Sequence, residues 1–286
     1  MLGRIYGITG ITYQQIVRQP VYYIILLASA GLLFVASPFT LFSFGKELSM
    51  LKEVGLATIM LANIVIAILG ADFVVSSEME KQTFLLTLTK PIRRWEFIFG
   101  KFAGLIISLL MSTIFLSVIF LIVYWLKDGT SMINYNYLSG RYLGLVNASA
   151  WGDTYAFFRE EGFLFIQGSY AYYLQSTSIE AIAIMLSLFF SLPITAGGTA
   201  LFFILAQVSS YVYISAGKNE GFIVPLLGKL FYAFIPNFTN FNVASQVVTT
   251  SSISIKYLGL ITLYAIIWNL IILGITIAVF EKHEVR

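Results

Sequence analysis

The sequence predicts an all-α polytopic membrane protein: six transmembrane helices, an amphipathic helix at the N-terminus, and a short charged helix between spans two and three. Three observations carry this. Hydrophobic residues make up 58% of the 286 positions and charged ones 11%, with a mean hydropathy of +0.86, whereas soluble domains are about a quarter charged. The apolar residues fall in long charge-free runs. Lys and Arg are denser in one set of connecting segments than in the other.

A helix needs about 20 apolar residues to cross roughly 30 Å of hydrocarbon. Five charge-free runs meet or approach that length, at 19–45, 54–71, 102–126, 181–217 and 257–280. The fourth run, 37 residues long, is about 55 Å as one helix and overshoots a bilayer. Its middle reads SLPITAGG, where Pro193 removes a hydrogen-bond donor and Gly197 and Gly198 loosen the helix. Splitting it there gives six spans, at about 21–41, 54–75, 99–126, 175–194, 197–217 and 257–280, in a single domain over 1–286. One long kinked helix, giving five spans, is the alternative. With both termini inside, the inner segments 1–20, 76–101 and 281–286 hold 9 Lys/Arg in 52 residues, and the outer segments 42–53, 127–178 and 218–256 hold 8 in 103. The positive-inside bias therefore predicts cytoplasmic N- and C-termini in a multi-pass cell-membrane protein.

Residues 3–19 alternate Ile5, Tyr6, Ile8, Ile11 and Ile16 with Gln14, Gln15 and Arg18, then meet Pro20. A helix lying on the inner leaflet and a frayed amphipathic tail both fit this pattern. The start lacks a short apolar core with a small-residue cleavage site, so no cleaved signal peptide is expected. With no Cys there is no disulfide framework.

Between spans two and three lies SSEMEKQTFLLTLTKPIRRWEFIFGK (76–101), with 8 of the chain's 31 formal charges. Ser77 followed by Glu80 reads as a capping box and predicts a helix start near residue 78. Met79, Phe84, Leu85 and Leu88 fall roughly along one side of it. Pro91 ends that helix. Arg93 and Arg94 then precede Trp95, and with Lys101 they form a basic, aromatic re-entry into the membrane; Trp95, Lys101 and Arg18 are the expected interface anchors. By composition alone this is a positive-inside loop whose arginines hold phospholipid headgroups.

The pattern Ser77-Glu78-x-Glu80-Lys81-x-Thr83-x-Leu85-Leu86, then Lys90-Pro91-x-x-Arg94-Trp95-Glu96, then Gly100-Lys101, resembles the cytoplasmic loop of ABC-2 type transporter permeases, the membrane subunits of ATP-binding-cassette exporters. FYAFIPNFTNFN (231–242) is similar to a second stretch of that family. Two departures stand: Gln82 occupies a position where the family usually has Gly, and the segment 127–178 is long for the loop between spans three and four.

The resemblance implies that residues 78–89 form a coupling helix docking into a separate ATPase subunit. Glu78, Glu80, Lys81, Thr83, Phe84, Leu85, Leu86, Pro91 and Arg94 would make that contact, with Phe84 and Leu85 as buried anchors. It also implies a second permease copy, as homodimer or heterodimer, and substrate passing between the copies along spans one, two and five. No cofactor is expected on this chain, since ATP and Mg would sit on the partner.

The residues themselves offer no catalytic apparatus. No G-x-x-x-x-G-K-[ST] phosphate loop is present. His283 is the sole histidine, and neither a metal site nor a Ser–His–acid triad follows from it. A transport subunit rather than an enzyme is expected, with membrane lipid and no nucleic acid as its surroundings. Two rivals stay open, a complex passing force to an extracytoplasmic partner and an integral-membrane lipid-modifying enzyme. Asp72 and Glu180, at the inner end of span two and the outer start of span four, read as interfacial acids or as members of an ion relay. The aromatics of 127–178, including Tyr135, Trp151, Tyr170, Tyr172 and Tyr173, read as an outer-leaflet belt or as a lid. Two glycosylation-type sequons, at Asn147 and Asn237, are read as accidental.

Overall fold

The computed structural model describes residues 2–39, 47–80, 93–138, 162–217, 223–249 and 253–282. Among these, all regular structure is helical: α1 (Leu2–Val17), α2 (Pro20–Phe39), α3 (Glu47–Glu80), α4 (Arg94–Leu138), α5 (Phe163–Ser187), α6 (Leu192–Gly217), α7 (Ile223–Phe234), a 3₁₀ turn (Phe238–Phe241), α8 (Ala244–Val248) and α9 (Ile255–Lys282). Among the described residues, five helical stretches are long and apolar enough to cross a membrane: Pro20–Pro38, Leu48–Val75, Trp95–Lys127, Leu192–Gly217 and Ile255–Phe280.

The element expected as the fourth span, 175–194, differs from the sequence reading in place and in kind. α5 runs from Phe163 to Ser187, so its first half lies in what the sequence presents as an outer segment. It is the centre of the bundle, packed on α3, α4, α6 and α9. Most of its side chains are buried, polar ones included, among them Gln167, Ser169, Gln175, Thr177 and Glu180. Intrahelical bonds satisfy several hydroxyls, as with Ser169 Oγ to Phe165 O at 2.9 Å and Ser176 Oγ to Tyr172 O at 2.9 Å. Protein rather than lipid covers this helix, which removes the pressure for an apolar composition. Tyr172 and Tyr173 are therefore core residues and not part of a belt or lid: their hydroxyls donate to Asn242 Oδ1 (3.1 Å) and Ile106 O (3.5 Å). Glu180 is likewise fully buried in this core helix rather than interfacial.

The chain break falls earlier than expected, with the first helix ending seven residues before 194 and the next starting five before 197. α5 ends at Ser187 and α6 starts at Leu192, with Pro193 in its first turn and Gly197 and Gly198 inside it. Proline is tolerated there because its missing donor belongs to a helix start, whose N–H groups have no intrahelical partner. Here Ser191 O accepts from the N–H of both Ile194 and Thr195 at 3.0 Å. The third span also overruns its expected end. α4 continues past residue 126 to Leu138, and Lys127 at the extension's start donates to Ser37 O on α2 at 2.6 Å.

Close approach of α3, α4 and α5 depends on small residues. Phe120 of α4 lies flat on Phe165 of α5, ring centroids 3.8 Å apart and planes 10° apart, and fits only because residue 55 of α3 has no Cβ. At the other end of the same helix pair, a Cβ on Gly70 would stand 2.7 Å from Leu105.

Candidate functional site

The charged stretch begins at the end of α3 and finishes in the first turns of α4. The helix start expected near residue 78 is absent, because α3 runs unbroken through Ser77 to Glu80. The N–H groups of this last turn belong to a continuing helix, which leaves no orphan donors for Ser77 to cap. Glu78 and Glu80 thus sit on the final turn of α3. Residues 81–92, with Lys81, Thr83, Phe84, Leu85, Leu86 and Pro91, lie outside the described residues, as does His283.

α4 opens at Arg94, and its start is fixed by Glu96, which the sequence reading placed in the family pattern but not as a cap. The Arg93 N–H donates to Glu96 Oε2 at 3.1 Å, the reciprocal half of a capping box, with the carboxylate at the positive end of the helix dipole. Glu96 is buried. Of the expected anchors, Arg18 is exposed just beyond α1 and Trp95 is half-buried. Lys101 is almost wholly covered, its Nζ 5.3 Å from the Phe97 ring centroid. Asp72 is half-buried on α3, and its Oδ1 has no hydrogen-bond partner among the described residues.

The amphipathic N-terminal segment forms α1, and its seat is two glycines one turn apart. A Cβ on Gly100 would stand 2.7 Å from Ile8 Cγ2, and one on Gly104 2.6 Å from Thr12 Cβ and 2.9 Å from the Thr9 carbonyl oxygen. This small-x-x-x-small pairing lets α1 lie against the start of α4. Thr9, Thr12 and Ile16 face inward, whereas Tyr6, Ile11, Gln14 and Arg18 stay exposed.

Midway along the pair, α3 and α4 are joined by a buried polar clasp. Asn63 Nδ2 donates to Thr113 Oγ1 at 2.7 Å, and Ser112 Oγ donates to Asn63 Oδ1 at 2.7 Å. Such interhelical bonds contribute about 0.5–1.5 kcal/mol each in a membrane bundle. We predict a coupling energy of about that size between Asn63→Leu and Thr113→Val in a double-mutant thermal-unfolding cycle. Additive effects would remove the clasp from the account.

The second stretch, 231–242, is a structural knot. Asn237 caps the 3₁₀ turn by accepting the Thr239 N–H at 3.0 Å, and its own N–H donates to Tyr264 Oη of α9 at 2.8 Å. Phe238 and Phe241 are fully buried and meet edge to face, and Phe241 also packs against the Tyr264 ring. Tyr257 of α9 and Ser209 of α6 donate to the Asn240 and Pro236 carbonyls at 2.7 and 3.4 Å. Asn237 is thus a buried cap, which explains its sequon-like surroundings without a glycan.

Among the described residues no group of three or more His, Cys, Asp or Glu comes together. What the site offers is mechanical: two continuous helices clasped at mid-length, braced by α1, leading to and from residues 81–92. A family model described as ABC-2 family transporter protein matches residues 10–285. The comparison with curated proteins found no match. The matched region takes in the charged stretch, the Pro-Asn knot and all five membrane-crossing helices, and the chain belongs to the ABC-2 family of transporter permeases.

Proposed function

We propose that this chain is the permease half of an ATP-binding-cassette exporter, pairing with a second permease copy and driven by a separate ATPase subunit that binds ATP and Mg. The observation carrying this reading is the continuity of α3 and α4, 34 and 45 residues long, on either side of residues 81–92. They correspond to rods of about 50 and 65 Å. A force applied at 78–89 by closing ATPases is passed along both rods together, because the Asn63 clasp and the α1 brace oppose their sliding apart. In this reading Glu78, Glu80 and Lys81 lie at the rim of the ATPase cleft and Phe84 and Leu85 fill it. With the 25-residue α5 counted as a sixth crossing that protein covers, both termini are cytoplasmic.

Large apolar surfaces are left open on α2, α6 and α9 and on the 110–126 stretch of α4; of these, the family resemblance selects spans one and five. The second copy is therefore expected against α2 and α6, which are spans one and five of the sequence reading. α3 is mostly covered within its own chain and contributes little to that face.

Co-purification with the ATPase provides the test. Glu80→Lys and Leu85→Asp are each expected to lower recovery of the complex and its permease-stimulated ATP hydrolysis about tenfold, the effect of a buried charge or a reversed rim charge at an interface. Wild-type recovery and stimulation in both variants would refute the docking assignment.

A further inference from the structure

Glu180 has no exposed surface, and neither of its carboxyl oxygens has a hydrogen-bond donor among the described residues. Across the α5–α9 contact, Asn269 is buried, gives its Nδ2 to Thr177 Oγ1 at 3.2 Å, and leaves Oδ1 with no donor. Thr177 precedes Glu180 by three residues, so the two occupy adjoining turns of one helix face. A second pair, Tyr170 Oη with Thr262 Oγ1 at 3.0 Å, lies seven residues earlier on both helices. α5 and α9 thus run parallel in a seven-residue register. The same repeat brings Thr276 of α9 to the next level beyond Asn269. A line of polar side chains results, exposed at Tyr170–Thr262 and running inward through Thr177 and Asn269 toward Glu180.

Both unpartnered groups are acceptors: a carboxyl, and an amide oxygen whose NH₂ is already committed. A charged carboxylate in such surroundings is strongly disfavoured unless something positive sits beside it. The packed helices do not supply it. α6 has no Asp, Glu, Lys or Arg, and α9 has none between Lys256 and Glu281. On α3 the ionisable side chains of the described core are Lys52, Glu53 and Asp72, and on α4 they are Glu96, Lys101 and Lys127; none of them hydrogen-bonds to either Glu180 oxygen. Tyr173 stands two turns before Glu180 on the same face and donates to Ile106 O.

We propose that Glu180 and Asn269 form a buried binding site for a monovalent cation, either a proton or an alkali-metal ion. The polar line through Thr177 and Tyr170–Thr262 is its access route. The site goes beyond the transport reading, and its test needs no ATPase, so the two stand or fall separately.

Infrared difference spectroscopy of the full chain in lipid nanodiscs, wild type minus Glu180→Gln, isolates the Glu180 carboxyl. In choline buffer free of alkali ions, a protonated-acid carbonyl band is expected. If the band persists when sodium or potassium chloride is added, the occupant is a proton. If it converts to carboxylate bands on addition, an alkali ion displaces the proton. Asn269→Leu removes the second acceptor. It is expected to move the acid band to higher frequency or to raise the salt needed for conversion about tenfold. A Glu180 carboxylate signature in choline buffer would overturn the proposal, as would a spectrum that Asn269→Leu leaves unchanged. Should Glu180→Gln fail to fold, wild type minus Asn269→Leu decides by the same band shift.

Discussion

Gly104→Leu is expected to release α1 from α4. The new side chain would meet both Thr12 and the backbone oxygen of Thr9, at 2.6 and 2.9 Å from its Cβ alone, and a backbone atom cannot rotate away. Overpacking of this kind costs typically 1–3 kcal/mol, against a contact made by one short helix whose other face is exposed. At Gly100 only the Ile8 side chain stands within 3 Å of the Cβ, so Gly100→Ala is expected to be the milder change. The absence of native cysteine allows a direct readout. A cysteine at position 12, buried beside Gly104 in the native packing, is expected to react with a maleimide at least about tenfold faster in the Gly104→Leu background, the ratio for about 1.4 kcal/mol of opening. Equal rates in the two backgrounds would show that α1 is not held there.

Phe241→Ala is expected to destabilise the 231–242 stretch more than loss of either polar contact made by Asn237. The ring is fully buried and contacts Phe238 and Tyr264, and emptying such a site costs about 3–5 kcal/mol. Tyr264→Phe removes only the acceptor for the Asn237 N–H, at about 1–3 kcal/mol for a buried donor left unpaired. Asn237→Ala removes a cap worth about 0.5–2 kcal/mol. Unfolding midpoints of the three purified variants should therefore fall in that order, Phe241→Ala lowest. A Phe241→Ala midpoint above that of Tyr264→Phe would mean that the knot is held by its polar contacts rather than by its aromatic core.

The two kinds of helix in this bundle were unequally legible. α2, α4, α6 and α9 are apolar because lipid touches them, and a charge-free run records that requirement directly; α3 is mostly covered by protein yet carries such a run at 54–71. α5 touches mainly protein, so its Gln, Ser, Thr and Glu side chains disguise a central helix as part of a loop. Its placement depends on partners far away in sequence, such as Asn269 and Phe120. Ser77 failed as a start signal for a related reason. A capping box is local, and it cannot report that the preceding helix has three more residues to run. Pro193 correctly marked a break, but its neighbours Gly197 and Gly198 drew the expected position too far along the chain. At the candidate site, the sequence identified the charged stretch and the Pro-Asn stretch. The clasp at Asn63 and the seat at Gly100 and Gly104 were missed. The Gly-x-x-x-Gly spacing at 100–104 was the available signal for the second, and a lone Asn inside an apolar run the signal for the first.

The central claim is that residues 78–89 meet a motor protein rather than lipid headgroups. A photo-reactive amino acid in place of Leu85, with the permease expressed beside its ATPase, tests this most directly. The account predicts a cross-linked adduct of permease and ATPase whose yield changes when the ATPase is trapped with nucleotide. Adducts with phospholipid alone, in a complex that still contains the ATPase, would contradict it.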